Sequence, residues 1–198
     1  MDLRWDRVFL ARHAQTEWNL QRRRQGQLDS PLTAGGVEQA HRHGAQLRSH
    51  AIDAIFASPL GRARVTADII GGHLDLPVVV IDELTEVHHG SFAGLTDEEI
   101  NTRHPGSLRR RSADKYRWSF PDGESYADAD VRAGHALVRI GGYPARRPLV
   151  VSHEMIGRML RRHLLGLDPD EALAGVQPHD VIYSTDPKTR AIHHLRSH

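Results

Sequence analysis

Three short apolar runs in this chain end on residues able to grip a phosphate. Val8 to Ala11 is followed by Arg12 and His13, Ala54 to Ala57 by Ser58-Pro59 and then Arg62, and Leu149 to Val151 by Ser152-His153. In open α/β sheets ligands bind outside the carboxyl ends of the strands. If these runs are strands of one sheet, two guanidinium groups, two imidazoles and two helix N-termini therefore meet at one edge. Arginine binds phosphate through parallel N–H bonds and a helix N-terminus favours negative charge, so the chemistry this cluster suits is that of a phosphoester pocket. Taken singly, each of these residues reads as an ordinary surface residue, and it is the convergence of three strand ends that carries the reading.

The elements that must position them show in the apolar patterning. Further β-branched runs lie at Val78 to Ile81 and Val181 to Tyr183, with a weaker one at Ala191 to Leu195, and the runs alternate with helix-like segments. That alternation predicts an α/β fold, a three-layer α/β/α sandwich with a mainly parallel central sheet. One helix is expected over Val37 to Leu47 with Thr33 as N-cap. A second is expected over Pro59 to Ile70, with Ser58 as N-cap, Pro59 at the first helical position and Gly71-Gly72 as the stop. Two more are expected over Tyr126 to Arg139 and Met155 to Leu165. Glu83 to Pro121 is less periodic and rich in Gly, His and Arg, and reads as a lid of loop and short helices over one edge of the sheet. A single domain over 1–198 is expected, because two would each have a thin core.

Composition narrows the chemistry. The absence of cysteine removes disulfides, thiolate zinc sites and a cysteine nucleophile. With 26 Lys and Arg against 25 Asp and Glu, the net charge of +1 gives no global field for nucleic acid or an anionic membrane, so any anion site must be local. Fifteen histidines, neutral in that count, predict altered behaviour in mild acid. The opening MDLRWDRVFLARH has scattered charge and a short apolar run, unlike a signal peptide or a membrane span, so a cytoplasmic location is expected. The pairs His41/His43, His88/His89 and His193/His194 lack the carboxylates or cysteines that would complete a metal site, and neither a metal nor a cofactor is expected. His88-His89 follows Glu86 closely and is a candidate for the substrate entrance. The basic triplets Arg22 to Arg24 and Arg109 to Arg111 read first as solvated charge runs, with recognition of an anionic substrate tail as the alternative.

The segment LARHAQTEWN, Leu10 to Asn19, resembles the L-x-R-H-G-x-T-x-W-N signature of the histidine phosphatase superfamily, which includes the cofactor-dependent phosphoglycerate mutases. The resemblance continues through Gln25-Gly26, DSPLT at Asp29 to Thr33, SPLGRARVTA at Ser58 to Ala67, Leu84-Thr85-Glu86 with Gly90 to Thr96, Pro121 to Ser125 and Val150 to His153. It implies a phosphoglycerate mutase-like fold and a metal-independent phosphatase acting on small phosphomonoesters, with His13 as the nucleophile that carries the phosphoryl group. Arg12, Arg62 and His153 would then hold the non-bridging oxygens, and Glu86 would serve as general acid and base with a raised pKa. Asn19, Gln25 and Thr16 would add neutral hydrogen bonds around the phosphate. Glu124 either faces the substrate or caps the helix near Ser125. Two departures stand out: Ala14 follows the nucleophile where the family has Gly, and Glu154 follows His153 where Gly is common. A carboxylate there repels an anion unless it points away, although its backbone N–H can still serve the pocket. A mutase on the same scaffold is the nearest alternative, disfavoured by the short Glu86-to-His153 interval and short tail. A non-catalytic phosphate- or partner-binding member is the other. The expected partner is a small phosphorylated molecule, with no nucleic acid and no membrane, and the exposed last strand and tail leave a homodimer open.

Overall fold

Between residues 4 and 196, which the computed structural model describes, strands and helices alternate. The order is β1 (Val8–Arg12), α1 (Glu17–Leu20), α2 (Ala34–Leu47), β2 (Ala54–Ala57), α3 (Gly61–Leu74), β3 (Val78–Val80), α4 (Asp97–Arg103), α5 (Ser107–Ala113), α6 (Tyr126–Gly141), β4 (Pro148–Ser152), α7 (Glu154–Leu165), α8 (Pro169–Ala174), β5 (Val181–Asp186) and β6 (Ala191–Arg196). The outermost residues of the expected 1–198 unit, 1–3 and 197–198, lie outside the described residues.

The strands form one six-stranded sheet in the order β3-β2-β4-β1-β5-β6. β1 to β4 run parallel; β5 pairs antiparallel with β1 and β6 antiparallel with β5, so β5 alone runs against the rest of a mainly parallel sheet. Side chains alternate across a strand, so each strand feeds two cores. On one face Val8, Leu10, Phe56, Val150 and Tyr183 pack against Ala133, Leu137 and Ile140 of α6 and Ile156, Met159 and Leu160 of α7. On the other Phe9, Ala11, Ile55, Ala57, Leu149, Val151 and Ile182 pack against Leu47 of α2 and Ala63, Ala67 and Ile70 of α3. The result is the three-layer α/β/α sandwich.

The register decides where the chemistry lies. Arg12 pairs with Ser152 and Ala57 with Val151, so β1, β2 and β4 end side by side and deliver His13, Ser58 and His153 to one edge. The segment expected as a lid is tied into the core: Leu84, Val87, Phe92, Ile100 and Phe120 are all buried in the α6/α7 cluster. The short helices α4 and α5 complete it.

The expected second helix is corrected at both ends. It starts at Gly61 with Leu60 in the cap position, because the Ser58 hydroxyl is engaged elsewhere. It also runs through Gly71-Gly72 to Leu74 and stops at Asp75 in the left-handed region, at φ 56°. Gly71 serves close packing, since a Cβ there would come within 2.8 Å of the Leu76 carbonyl. Thr33 does cap α2, accepting from the Gly36 N–H at 2.9 Å, although that helix begins at Ala34 rather than Val37.

Candidate active site

His13 emerges from β1 with its backbone held on both sides. Its N–H donates to the Ser152 carbonyl at 2.8 Å, and the Ala14 N–H donates to the Thr66 hydroxyl at 3.0 Å. The ring Nδ1 lies 2.8 Å from the Ala14 carbonyl oxygen. A carbonyl only accepts, so Nδ1 carries the hydrogen and Nε2 keeps its lone pair. Burial first, then the nearby Arg12 and His153, hold the His13 pKa well below the usual histidine value, so the ring is neutral and nucleophilic. Ala14, in place of the usual Gly, is fully buried and accommodated.

His153 faces His13 with ring centroids 5.3 Å apart and is completely buried. Its Nε2 lies 2.8 Å from the Ser58 hydroxyl, whose oxygen already accepts from the Leu60 N–H. A hydroxyl oxygen can accept a second bond as well as donate one, so this contact forms with either His153 tautomer, and the buried Nδ1 has no hydrogen-bond partner among the described residues. Arg62 donates to the Gly26 and Leu28 carbonyls, each at 2.7 Å, and to Asp29 at 3.1 Å. It thereby clamps the loop that carries Gln25 to the pocket. Arg12 donates to the Gln177 carbonyl and pairs with Glu154 at 3.0 Å.

Glu86 is 7% exposed and sits at the N-terminus of α7, accepting from the backbone N–H groups of Val87, Met155 and Ile156. Burial raises its pKa, outweighing those bonds and the Arg62 charge, so the carboxyl can hold a proton for a departing oxygen. Glu154 lines the same cavity as His13 but is paired with cations: one oxygen meets Arg12 and the other Arg158. Burial works to raise its pKa, but the two arginines prevail and keep it ionised. Its carboxylate is thus neutralised within the protein.

A cavity of about 360 Å³ is lined by Arg12, His13, Asn19, Gln25, Arg62, Glu86 and Glu154 among others; His153, fully buried, lies behind it against the His13 ring and is not one of the lining residues. Two expectations need correction. Thr16 is fully buried and lines no part of the cavity; it caps α1 with Asn19 and accepts from Gln25 Nε2 at 2.8 Å, so it orients the two amides instead. Glu124 does not face the cavity. It accepts from the His88 N–H and pairs with Arg132 of α6 at 2.8 Å, while Ser125 caps that helix.

Several residues that the sequence offered only as alternatives line the cavity, and two that it did not mark join them. Arg23 and Arg24 line the cavity while paired to Glu99 and Asp97 of α4, so that triplet is more than a solvated run. Arg111 reaches the cavity and donates to the Tyr126 hydroxyl, unlike its neighbours Arg109 and Arg110. Of the His88-His89 pair only His89 lines the cavity, buried and with both ring nitrogens unpartnered. Lys115 and Arg158 also contribute, and nothing in their local sequence marks them. Among the described residues no group of three or more His, Cys, Asp or Glu is placed to hold a metal ion. No helix among them is long and apolar enough to cross a membrane.

Residues 8–190 match the family model described as the histidine phosphatase superfamily (branch 1). A Bacillus subtilis protein named "Uncharacterized phosphatase PhoE" is 34% identical over 164 residues, spanning 82% of this chain and 79% of its own length. A Yersinia enterocolitica protein named "Probable phosphoglycerate mutase GpmB" is 39% identical over 163 residues, spanning 82% of this chain and 76% of its own. Among solved structures, the mycobacterial glucosyl-3-phosphoglycerate phosphatase in complex with VO3 is 30% identical, with a TM-score of 0.82 over 90% of this chain and 92% of that one.

Proposed function

This chain belongs to the histidine phosphatase superfamily, branch 1, and on that premise we propose that it is a phosphatase that hydrolyses small phosphomonoesters through a phosphohistidine on His13, without a metal. The observation that carries the proposal is the His13 ring: neutral, tautomer set by Ala14, and its free Nε2 turned into a cavity edged by Arg12, Arg62 and the buried acid Glu86.

In the first step Nε2 attacks phosphorus in line, the P–O bond to the alcohol breaks, and the Glu86 proton passes to the leaving oxygen. In the second, the Glu86 carboxylate takes a proton from water as its oxygen attacks phosphorus, and the N–P bond breaks to release inorganic phosphate and restore both side chains. Arg12, Arg62 and His153 spread the charge on the non-bridging oxygens, the electrostatic work that dominates phosphoryl transfer. Gln25 and Asn19 supply neutral contacts.

The substrate carries more negative charge than one phosphate. Arg12, Arg23, Arg24, Arg62, Arg111, Lys115 and Arg158 line the cavity against the two carboxylates Glu86 and Glu154. Arg111 and Lys115 have no carboxylate ion-pair partner among the described residues, which suits a carboxylate or second phosphate on the leaving group. The similar mycobacterial enzyme, named for a phosphoglycerate derivative, supports that direction.

The test is to mix the protein with an aryl phosphate in the presence of EDTA, quench in alkali to preserve the acid-labile adduct, and map the phosphate by mass. The expected result is a label on His13, with hydrolysis lost in His13→Asn. Labelling elsewhere, or hydrolysis surviving that substitution, overturns the proposal. Transfer to an added phosphoglycerate in preference to water would assign the mutase reading instead.

A further inference from the structure

β5 runs antiparallel to β1 with Ala11 paired to Ile182, so the chain entering β5 must pass the end of β1 where the nucleophile begins. Residues 175–180 make that passage, and they are held from several sides. Arg161 and the Tyr183 hydroxyl both donate to the Val176 carbonyl, at 2.9 and 2.6 Å, and Arg12 donates to the Gln177 carbonyl at 3.3 Å. His43, buried on α2, donates from Nε2 to the His179 carbonyl at 2.8 Å. The backbone of His179 is thus fastened to the helical layer opposite α7.

The side chain of His179 reaches back to the nucleophile. Its Nδ1 lies 2.7 Å from the His13 carbonyl oxygen, and its ring stands edge-on to the His13 ring with centroids 5.3 Å apart. A carbonyl only accepts, so Nδ1 is the donor. The polar backbone atoms around the nucleophile are then all held: His13 N–H by Ser152, His13 carbonyl by His179, Ala14 N–H by Thr66 and Ala14 carbonyl by the His13 ring itself. Of these four bonds the one from His179 alone depends on a long side chain from a distant part of the chain. The carbonyl it holds belongs to the peptide whose Ala14 N–H is held by Thr66, directly before the peptide whose carbonyl accepts from His13 Nδ1.

We infer that His179 is a positioning residue for the nucleophile: its Nδ1–H holds the His13 carbonyl, and through it sets the angle at which His13 Nε2 meets phosphorus. The inference rests on the phosphohistidine reading above. Burial and the Arg12 charge lower the His179 pKa to about 4, so in neutral solution the ring supplies a hydrogen bond to the nucleophile and adds no charge to the cavity. Substrate phosphate is gripped by other groups, which separates the consequence for turnover from that for binding.

The experiment compares two substitutions of similar shape that differ in the donor. Asparagine places its amide nitrogen where the imidazole Nδ1 stands, whereas leucine fills the same space without an N–H. For His179→Leu, kcat on an aryl phosphate is expected to fall by about 10-fold or more, since small misplacements of a reacting group are costly. KM and inhibition by vanadate should change less than about 2-fold, because the phosphate grip stays intact. His179→Asn is expected to recover most of kcat, and the rate of His13 phosphorylation measured by rapid quench should follow kcat in both. Thermal unfolding of each variant reports on folding, and His179→Ala replaces the leucine variant if that one does not fold. Unchanged kcat without the donor, or an asparagine variant no better than leucine, overturns this inference and leaves the phosphatase reading standing. Hydrolysis by the wild-type protein with no label on His13 overturns both.

Discussion

In the proposed mechanism Glu86 meets two opposite demands, giving up a proton in one step and taking one in the next, and its surroundings act on the carboxyl in both senses. Burial favours the neutral acid, while three backbone N–H groups and the Arg62 charge keep the carboxylate accessible. Glu86→Gln keeps the shape and removes the proton. Turnover of alkyl phosphates, whose leaving oxygen needs protonation, should fall by about 10² to 10⁴. Nitrophenyl phosphate, whose leaving group departs as the anion, should show a smaller loss in the phosphorylation step, with vanadate binding retained. Equal losses on both substrates in a burst experiment would remove Glu86 from the acid role. Residues that follow directly on a strand, such as Arg12, His13, Ser58 and His153, were legible in the sequence because strand ends converge by a general rule. Lys115, Arg158 and His179 were not, because each reaches the site through the folded path of a connecting segment. Thr16 and Glu124 were misplaced for a related reason: a motif shows that a polar side chain is needed, and packing decides whether it meets substrate or another side chain. Glu154 shows the same point, since the repulsion expected of it is cancelled by Arg12 and Arg158, which no local pattern joins to it.

At the level of elements, the loop bearing Glu86 and His89 is strapped to the turn before α6. Gly90 has φ +49°, and a Cβ on it would lie 1.8 Å from the Pro121 carbonyl oxygen. The Ser91 N–H donates to that same oxygen at 2.8 Å, and Arg132 of α6 grips the Glu83, Thr85 and Glu86 carbonyls from below. Gly90→Ala must force the strap apart. The left-handed backbone alone costs about 1 to 3 kcal/mol for a residue with a side chain, and the clash adds to it. The urea midpoint should fall and kcat/KM with it, because the displaced segment carries Glu86. Gly72→Ala is the matching control: it lies inside α3 with nothing within 4 Å of the added Cβ, so it should stabilise by about 0.5 to 1 kcal/mol. A Gly90→Ala protein as stable as wild type would show that the strap yields easily and does not fix the loop. Gly72 and its neighbour Gly71 also explain why the helix stop was expected too early. Gly71-Gly72 looks like a helix stop, but a glycine can sit inside a helix for close packing, and only the Leu76 backbone against Gly71 reveals which applies.

For the molecule as a whole, periodicity was enough to read the layers, but the order β3-β2-β4-β1-β5-β6 and the reversal at β5 depend on pairings between distant segments that no window of sequence contains. That assembly buries histidines. His13, His43 and His153 lie below the usual histidine pKa, chiefly through burial. His89 is lowered to about 3, by burial and then Arg24, and His179 to about 4, by burial and then Arg12. His13, His153, His89 and His179 stay neutral in the folded state yet take a proton in the unfolded chain once the pH drops below about 6.5, and His43 shifts in the same direction, so the unfolded state binds more protons and stability falls with pH. At pH 5, His89 and His179 would each withdraw about 2 kcal/mol, a large share of the roughly 5 to 15 kcal/mol that holds a typical domain folded. Two groups act in the opposite sense. His163, raised by its bond to Asp130, stabilises the folded protein below its folded pKa, and Glu86, raised by burial, favours the folded state as acid is added toward its unfolded value. The carboxylates lowered by ion pairs, Glu154 and Asp130, lose their contribution only below about pH 4.5 and stay out of the window. Five histidines against two opposing groups should win. The melting temperature is expected to be flat from pH 8 to 7 and to fall steeply from 6.5 to 5, with more than one proton taken up per molecule unfolded. Calorimetry across that range in buffers of matched ionic strength measures the uptake directly. A melting temperature that holds steady to pH 5 would mean that the histidines packed around His13 are hydrated in solution rather than shielded as the structure has them.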